Sequence, residues 1–296
     1  MISGWDDESN NSPRMPAQAG RFYPGEKTEL SRTIDKMLAE ARDGEGKIPR
    51  AVIVPHAGYQ FSGPAAAQAY KNFQQAGAAI VNRVILLATS HYTYVRGVVL
   101  GEHPYQTPLG VYPVDTSAVS ALQQLDFPYI DNRVAAAREH SDEVQIPFLQ
   151  KVLPQAWLVP VIVGDLTGQD LASTAQALAT VVDERTVIVA SSDFTHYGRN
   201  FDYTPKFDND IRTGIYQLDQ GALDLILRGS SSGFADYIGR TGATICGANP
   251  ITLLLKMFEI NQWPVEARVL TYYTSGDLTG DWDHSVSYAA IRLGTL

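Results

Sequence analysis

Residues that bind metals or move protons fall where apolar runs of this chain give out. Ala51-Val52-Ile53-Val54 ends in Pro55, and His56 follows. Val84-Ile85-Leu86-Leu87-Ala88 hands over to Thr89-Ser90-His91, and Val187-Ile188-Val189-Ala190 to Ser191-Ser192-Asp193-Phe194-Thr195-His196. The chain has six histidines, and three of them occupy this one kind of position. Two imidazoles, from His56 and His91, suit Fe, Zn, Cu or Ni without choosing among them. Cys246, the single cysteine, is the natural third ligand. It lies just before a helix expected to have Asn249 as its N-cap and Pro250 as its first residue. A thiol near a helix N-terminus is expected to ionise readily, and thiolate is the form that binds metal. The alternative is an inert buried thiol, but Gly247 beside it points to a close backbone approach.

Asp193 and His196 share one short loop. A carboxylate and an imidazole three residues apart can form an orienting hydrogen bond, serve as acid and base, or simply hold a polar turn together. His140, between Glu139 and Ser141, either completes the site or caps a helix for which Ser141 is the expected N-cap. His103 precedes a proline in a turn and His284 an edge-like strand, and both read as structural. Gly229-Ser230-Ser231-Ser232-Gly233 fits G-x-S-x-G, but a helical pattern precedes it, whereas a nucleophile elbow needs strand, turn and helix.

The elements that must position these groups are strands buried on both faces, because their apolar runs carry no polar break. In open α/β sheets ligands bind outside the carboxyl ends of the strands, so strands that each end in a histidine predict one shared polar site. Trp157–Gly164 reads as a further strand, and 97–115 as short antiparallel strands. Two more strands are expected over 267–273 and 285–292. Helices are predicted over 27–43, from Pro64 to about 75, and over 116–125, 168–182, 206–228 and 251–260. The alternation predicts a single α/β domain over 14–296, with a mostly parallel or mixed sheet covered by helices on both faces. Residues 1–13, polar and acidic, read as a loose tail.

The 296 residues are 45% apolar, ample for a large core. A net charge of −9 with no basic cluster argues against nucleic acid or an anionic membrane as partner. No intrachain disulfide can form, no run approaches a bilayer span, and the first residues lack a signal-peptide pattern, so a cytoplasmic protein is expected.

Pro55-His56-Ala57-Gly58-Tyr59, Thr89-Ser90-His91, Glu139-His140-Ser141, Ser191-Ser192-Asp193-Phe194-Thr195-His196, Thr244-Ile245-Cys246-Gly247 and Ser285–Ala290 together resemble the MEMO family. Its bacterial and archaeal members are called AmmeMemoRadiSam system protein B. The resemblance runs from about Ala17 to Leu293 in family order. It implies a fold similar to the LigB-like class III extradiol dioxygenases and a metal on His56, His91 and Cys246, with Fe(II) favoured and Cu or Zn as alternatives. His196 or His140 would be the acid/base, and Asp193 would orient a histidine. A thiolate in place of the carboxylate of a ring-cleaving site shifts the metal preference and is itself oxidisable. Three functions are therefore carried forward. The first is an oxidoreductase acting with O2 on a small, phenolic substrate. The second is a non-catalytic metal- or peptide-binding adaptor with a groove of Tyr59, Tyr92, Tyr94 and Tyr197. The third is a zinc hydrolase. The resemblance also implies a link to a radical-SAM protein and an AMMECR-type protein.

Overall fold

The structure is a computed structural model, and it describes residues 12–44, 46–74 and 76–296. Residues 1–11 of the expected tail lie outside the described residues. Ten strands are present among the described residues: β1 (Ala51–Val54), β2 (Arg83–Thr89), β3 (Val98–Leu100), β4 (Tyr105–Thr107), β5 (Gly110–Tyr112), β6 (Trp157–Val163), β7 (Thr186–Ser191), β8 (His196–Gly198), β9 (Arg268–Thr274) and β10 (His284–Leu293). Eight form one sheet in the order β3-β6-β2-β7-β1-β10-β8, with β9 also on β10, while β4 and β5 pair as a separate hairpin.

The four strands β6, β2, β7 and β1 are mutually parallel. Every residue of β1 and β7 is buried, which requires cover on both faces of the sheet. The helices Lys27–Glu40, Tyr59–Tyr70 and Ile146–Val152 pack with one another, and so do Gly168–Ala179, Ile211–Leu227, Ser231–Thr241 and Ala248–Ile260. The fold is therefore a single α/β domain on a mixed central sheet. Its parallel strands finish level: Val54 lies beside Ser191, Leu87 beside Ala190, and Thr89 beside Val163.

Several boundaries differ from expectation, each for a local reason. Pro64 does not open its helix. The helix starts at Tyr59 after Gly58, and Pro64 sits inside it, where one missing N–H is tolerated among well-packed alanines. Ser141 is not an N-cap. Glu139 caps the short helix His140–Glu143, its carboxylate accepting from the backbone N–H of His140 and Ser141. Pro147 belongs to a separate helix, Ile146–Val152, and falls in its first turn, where no donor is lost. The helix after Cys246 begins at Ala248 with Gly247 as its cap, so Asn249 and Pro250 lie within its first turn. β10 is no edge strand, since β1, β8 and β9 all pair with it. Ser231 of the G-x-S-x-G match begins a helix that follows another helix.

Candidate metal centre

His56, two residues past β1, is held by both backbone and ring. Its N–H donates to Asp193 Oδ1 at 2.8 Å, with that of Ala57 at 3.3 Å from the same oxygen. Its ring is 2% exposed, with Nδ1 2.9 Å from Ser191 Oγ and Nε2 3.1 Å from Cys246 Sγ. His91, two residues past β2, is held by Glu139: its N–H donates to Oε2 at 2.8 Å, and its Nδ1 lies 2.7 Å from Oε1. The two rings stand nearly perpendicular at 86°, with centroids 5.2 Å apart. Cys246 reaches them because Gly247 lets the backbone close in. A Cβ there would stand 2.3 Å from that of Ser192, whose hydroxyl accepts the Gly247 N–H at 3.0 Å.

One ligand atom from each of His56, His91 and Cys246 lies within 4.8 Å of the others. Nitrogen and sulfur ligands on one tetrahedral ion sit about 3.5 Å apart, so these donors need only a small adjustment to share one. At both histidines Nδ1 is tied to a protein oxygen, as in metal-binding imidazoles anchored by an outer partner, and at His56 Nε2 is turned to Cys246.

The remaining predicted residues gather at the same place, in roles partly different from those expected. The His140 ring lies 4.4 Å from that of His91, and its Nδ1 is 3.1 Å from Tyr92 Oη and 3.3 Å from Glu139 Oε1. His196 Nδ1 faces the carbonyls of Phe194 and Thr244, at 3.0 and 3.1 Å. Carbonyls only accept, so that nitrogen carries the proton. Nε2 of His196 is 3.9 Å from Asp193 Oδ2, too far for a hydrogen bond. Asp193 therefore orients His56 through its backbone amide and orients neither ring. Two further groupings within ligand reach, His91–Glu139–His140 and Asp193–His196–Cys246, share members with the first.

Charge follows burial. His56 is pushed well below the usual histidine range by burial and then by the neighbouring imidazoles. Burial also takes His140 down to about 4, with His91 adding to it and Glu139 opposing. Burial pushes Glu139 up, but the hydrogen bond and charge of His91 and the amides of His91 and Ser141 overrule it and hold Glu139 at about 2. Asp193 is raised by burial, against the pull of His196 and two amides. The expectation of an easily ionised Cys246 is overturned: burial pushes the thiol well above its usual range, and Asp193 adds to that. A bound cation reverses this order, because a coordinated thiol loses its proton outright.

These shifts make stability pH-dependent. The folded pKa of His140 is depressed, so the unfolded chain binds a proton that the folded chain refuses as pH falls from 6.5 to about 4. Stability is lost across that window, by about 3 kcal/mol from this residue. Glu139 then loses its contribution as pH falls from 4.5 towards about 2. Thermal melts of metal-free protein are expected to show a midpoint falling steadily below pH 6.5. His140→Asn should flatten that slope without abolishing it, since His56 works in the same direction.

Glu139 and Ser191 hold the rings of His91 and His56, Gln145 holds Ser191, and sequence reasoning gave none of them a role. Glu139 and Ser191 stood inside noted motifs. The only further signal was polarity at strand ends and helix starts that are otherwise apolar.

Fold and geometry together define an α/β protein with a cluster of two histidines and one cysteine, able to hold a metal ion, at the carboxyl edge of its parallel strands. A family model described as Memo-like protein matches residues 14–292. A MEMO1 family protein of Methanopyrus kandleri is 34% identical over 292 residues, covering 94% of this chain and 98% of that protein. A protein memo-1 homolog of Caenorhabditis elegans is 34% identical over 290 residues, covering 94% and 81%. The chain belongs to the MEMO family. Among solved structures, an uncharacterized protein of Escherichia coli K12 shares the fold with a TM-score of 0.51 at 14% identity, over 84% of this chain and all of that one.

Proposed function

We propose that this chain is a metal-binding protein whose His56, His91 and Cys246 hold a non-haem iron or copper ion, and that it acts as an oxidoreductase on a small phenolic or similar substrate. The observation that carries the reading is the convergence of three donors from three separate segments within 4.8 Å of one another, with Nδ1 of each histidine engaged by a protein oxygen. When bound, such an ion supplies one-electron and O2 chemistry.

The chain's own residues would do the rest. The side chains of His91, His196 and His140 are 24%, 20% and 12% exposed, so the centre is open on the side where they lie. His140, neutral near pH 7, is placed to hand a proton to or take one from a substrate hydroxyl entering there. His196, held through Nδ1 by two carbonyls, has its Nε2 3.9 Å from Asp193 Oδ2. Phe22 against His140 and Phe201 against His196, with ring centroids 5.1 and 5.0 Å apart, give an aromatic substrate flat surfaces to lie on. The adaptor reading loses its groove. Tyr59 and Tyr197 are buried in packing, and only Tyr92 and Tyr94 are well exposed.

The test is oxygen uptake by protein purified without air and loaded in turn with Fe(II), Cu(I) and Zn(II). Uptake with a catechol panel is expected for iron or copper and not for zinc. No uptake with any substrate under full metal loading would remove the oxidoreductase reading and leave metal binding alone.

A further inference from the structure

A histidine presents a lone pair to a metal only from the nitrogen that lacks the proton, so something must decide which nitrogen of His56 that is. The geometry points to Ser191 and Gln145 as positioning residues that fix His56 in the tautomer with its proton on Nδ1, leaving Nε2 bare beside Cys246. This rests on the reading of His56 as a ligand.

The argument is a count of donors and acceptors around one buried hydroxyl. Ser191 has a single hydroxyl proton and two lone pairs. Its Oγ lies 2.6 Å from the Ser141 carbonyl oxygen, which can only accept, so the proton is spent there. Gln145 Nε2, which can only donate, lies 2.8 Å from the same Oγ and fills one lone pair. The His56 Nδ1 at 2.9 Å is the third neighbour. Ser191 has nothing left to donate to it, so Nδ1 must donate to Ser191. Neutral imidazole then carries no proton on Nε2, which faces Cys246 Sγ at 3.1 Å.

Gln145 cannot turn its amide over to undo this. Nε2 also donates to the Pro55 carbonyl at 3.0 Å, while Oε1 accepts from Tyr70 Oη at 2.9 Å. Reversed, the amide oxygen would confront a carbonyl and the oxygen of a hydroxyl whose proton is spent. Nor can water substitute, because Ser191, Ser141 and Gln145 are at most 1% exposed. The Ser141 carbonyl is fixed in turn: its side chain donates to Thr89 O at 3.1 Å and accepts the Thr89 N–H at 3.0 Å. The two histidines are thus anchored by unlike partners, His56 by a neutral hydroxyl and His91 by the Glu139 carboxylate.

Nitrogen-15 spectra of the histidines in metal-free, full-length protein test this directly. The wild type is expected to show His56 protonated at Nδ1 and unprotonated at Nε2. Ser191→Ala should give a mixture of tautomers and weaken Zn(II) binding, measured by chelator competition, by about 10- to 100-fold. Ser191→Thr, which keeps the hydroxyl, should restore both. A wild-type His56 carrying its proton on Nε2 overturns the inference whether or not any variant folds. So does a Ser191→Ala protein with unchanged spectrum and affinity. Failure of the wild type to bind Zn(II) at all would instead remove the metal reading, and the spectra would still decide the role of Ser191.

Discussion

Cys246→Ala should lose about a hundred- to a thousandfold in affinity for Zn(II) or Cu(I), with little change in the stability of the metal-free fold. The scale comes from structural zinc sites. About 10–16 kcal/mol spread over four ligands is roughly 2.5–4 kcal/mol each, or about two to three decades. Cys246 should lie at the upper end of that range for Cu(I), since it is the only soft donor among the three. Its thiol has few other partners: it accepts the Asp193 N–H at 3.3 Å, lies 3.6 Å from the Asp193 carbonyl oxygen and faces His56 Nε2 at 3.1 Å. Removing it therefore leaves no buried charge behind. Cys246→Ser keeps the shape and substitutes a harder oxygen, and should recover Zn(II) binding in part and Cu(I) binding hardly at all. Competition titrations with chromophoric chelators, made without air and paired with metal analysis, decide the matter. An alanine variant that retains wild-type stoichiometry and affinity would show that the sulfur is no ligand.

What could be read from the chain and what could not divide along a physical line. The parallel strands were legible because a strand covered on both faces must be an unbroken apolar run, and Ala51–Val54 and Val187–Ala190 contain no polar residue. The position of His56 and His91 followed from the same runs, since the carboxyl ends of such strands gather at one edge. Gly247 was legible as a close approach, and Ser192 stands where its side chain would be. Capping was not, because a carboxylate two residues ahead of the expected Ser141 cap does the same task, and only the fold shows Glu139 turned to face both His91 and its own helix. Pro64 misled because a proline is tolerated at a helix start far more often than inside one. The thiol of Cys246 misled for a different reason. A helix terminus lowers a thiol's pKa only where water or charge supports the anion, and desolvation of this partly buried thiol, with Asp193 beside it, outweighs it. Gln145 carried no signal at all: its role depends on Ser191, 46 residues away.

Arg14→Ala is expected to destabilise the protein by about 3–5 kcal/mol, the usual consequence of removing one partner of a buried ion pair. At about 2–4 °C per kcal/mol for a domain of this order, the melting temperature falls by roughly 10 °C. Arg14 donates to Asp142 Oδ2 at 2.6 Å, lies 3.5 Å from Glu143 Oε2, and donates to the Glu139 carbonyl. Asp142 is fully buried, and Tyr105 Oη, donating at 2.6 Å, is its other side-chain partner. Burial would lower the Arg14 guanidinium, but Asp142 and Glu143 raise it further than burial takes it down. Without Arg14, Asp142 is a buried carboxyl with no cation, and burial pushes it up towards the neutral form. Two consequences separate lost charge from lost contact. Arg14→Ala combined with Asp142→Asn should recover more than half of the deficit, because the amide needs no counter-ion. The deficit of the single variant should also shrink as pH falls. A carboxyl whose folded pKa is raised takes up its proton in the folded state first, and the penalty it imposes at neutral pH is relieved on the acid side. Urea melts at pH 7.5 and pH 5.5 measure both effects. Should the double variant be less stable than Arg14→Ala alone, hydrogen bonding by Asp142 rather than its unpaired charge would govern this end of the site. Glu143, the other carboxylate near Arg14, is held independently, since it accepts the Ala17 and Gln18 amides and Tyr23 Oη at 3.0, 2.7 and 2.8 Å.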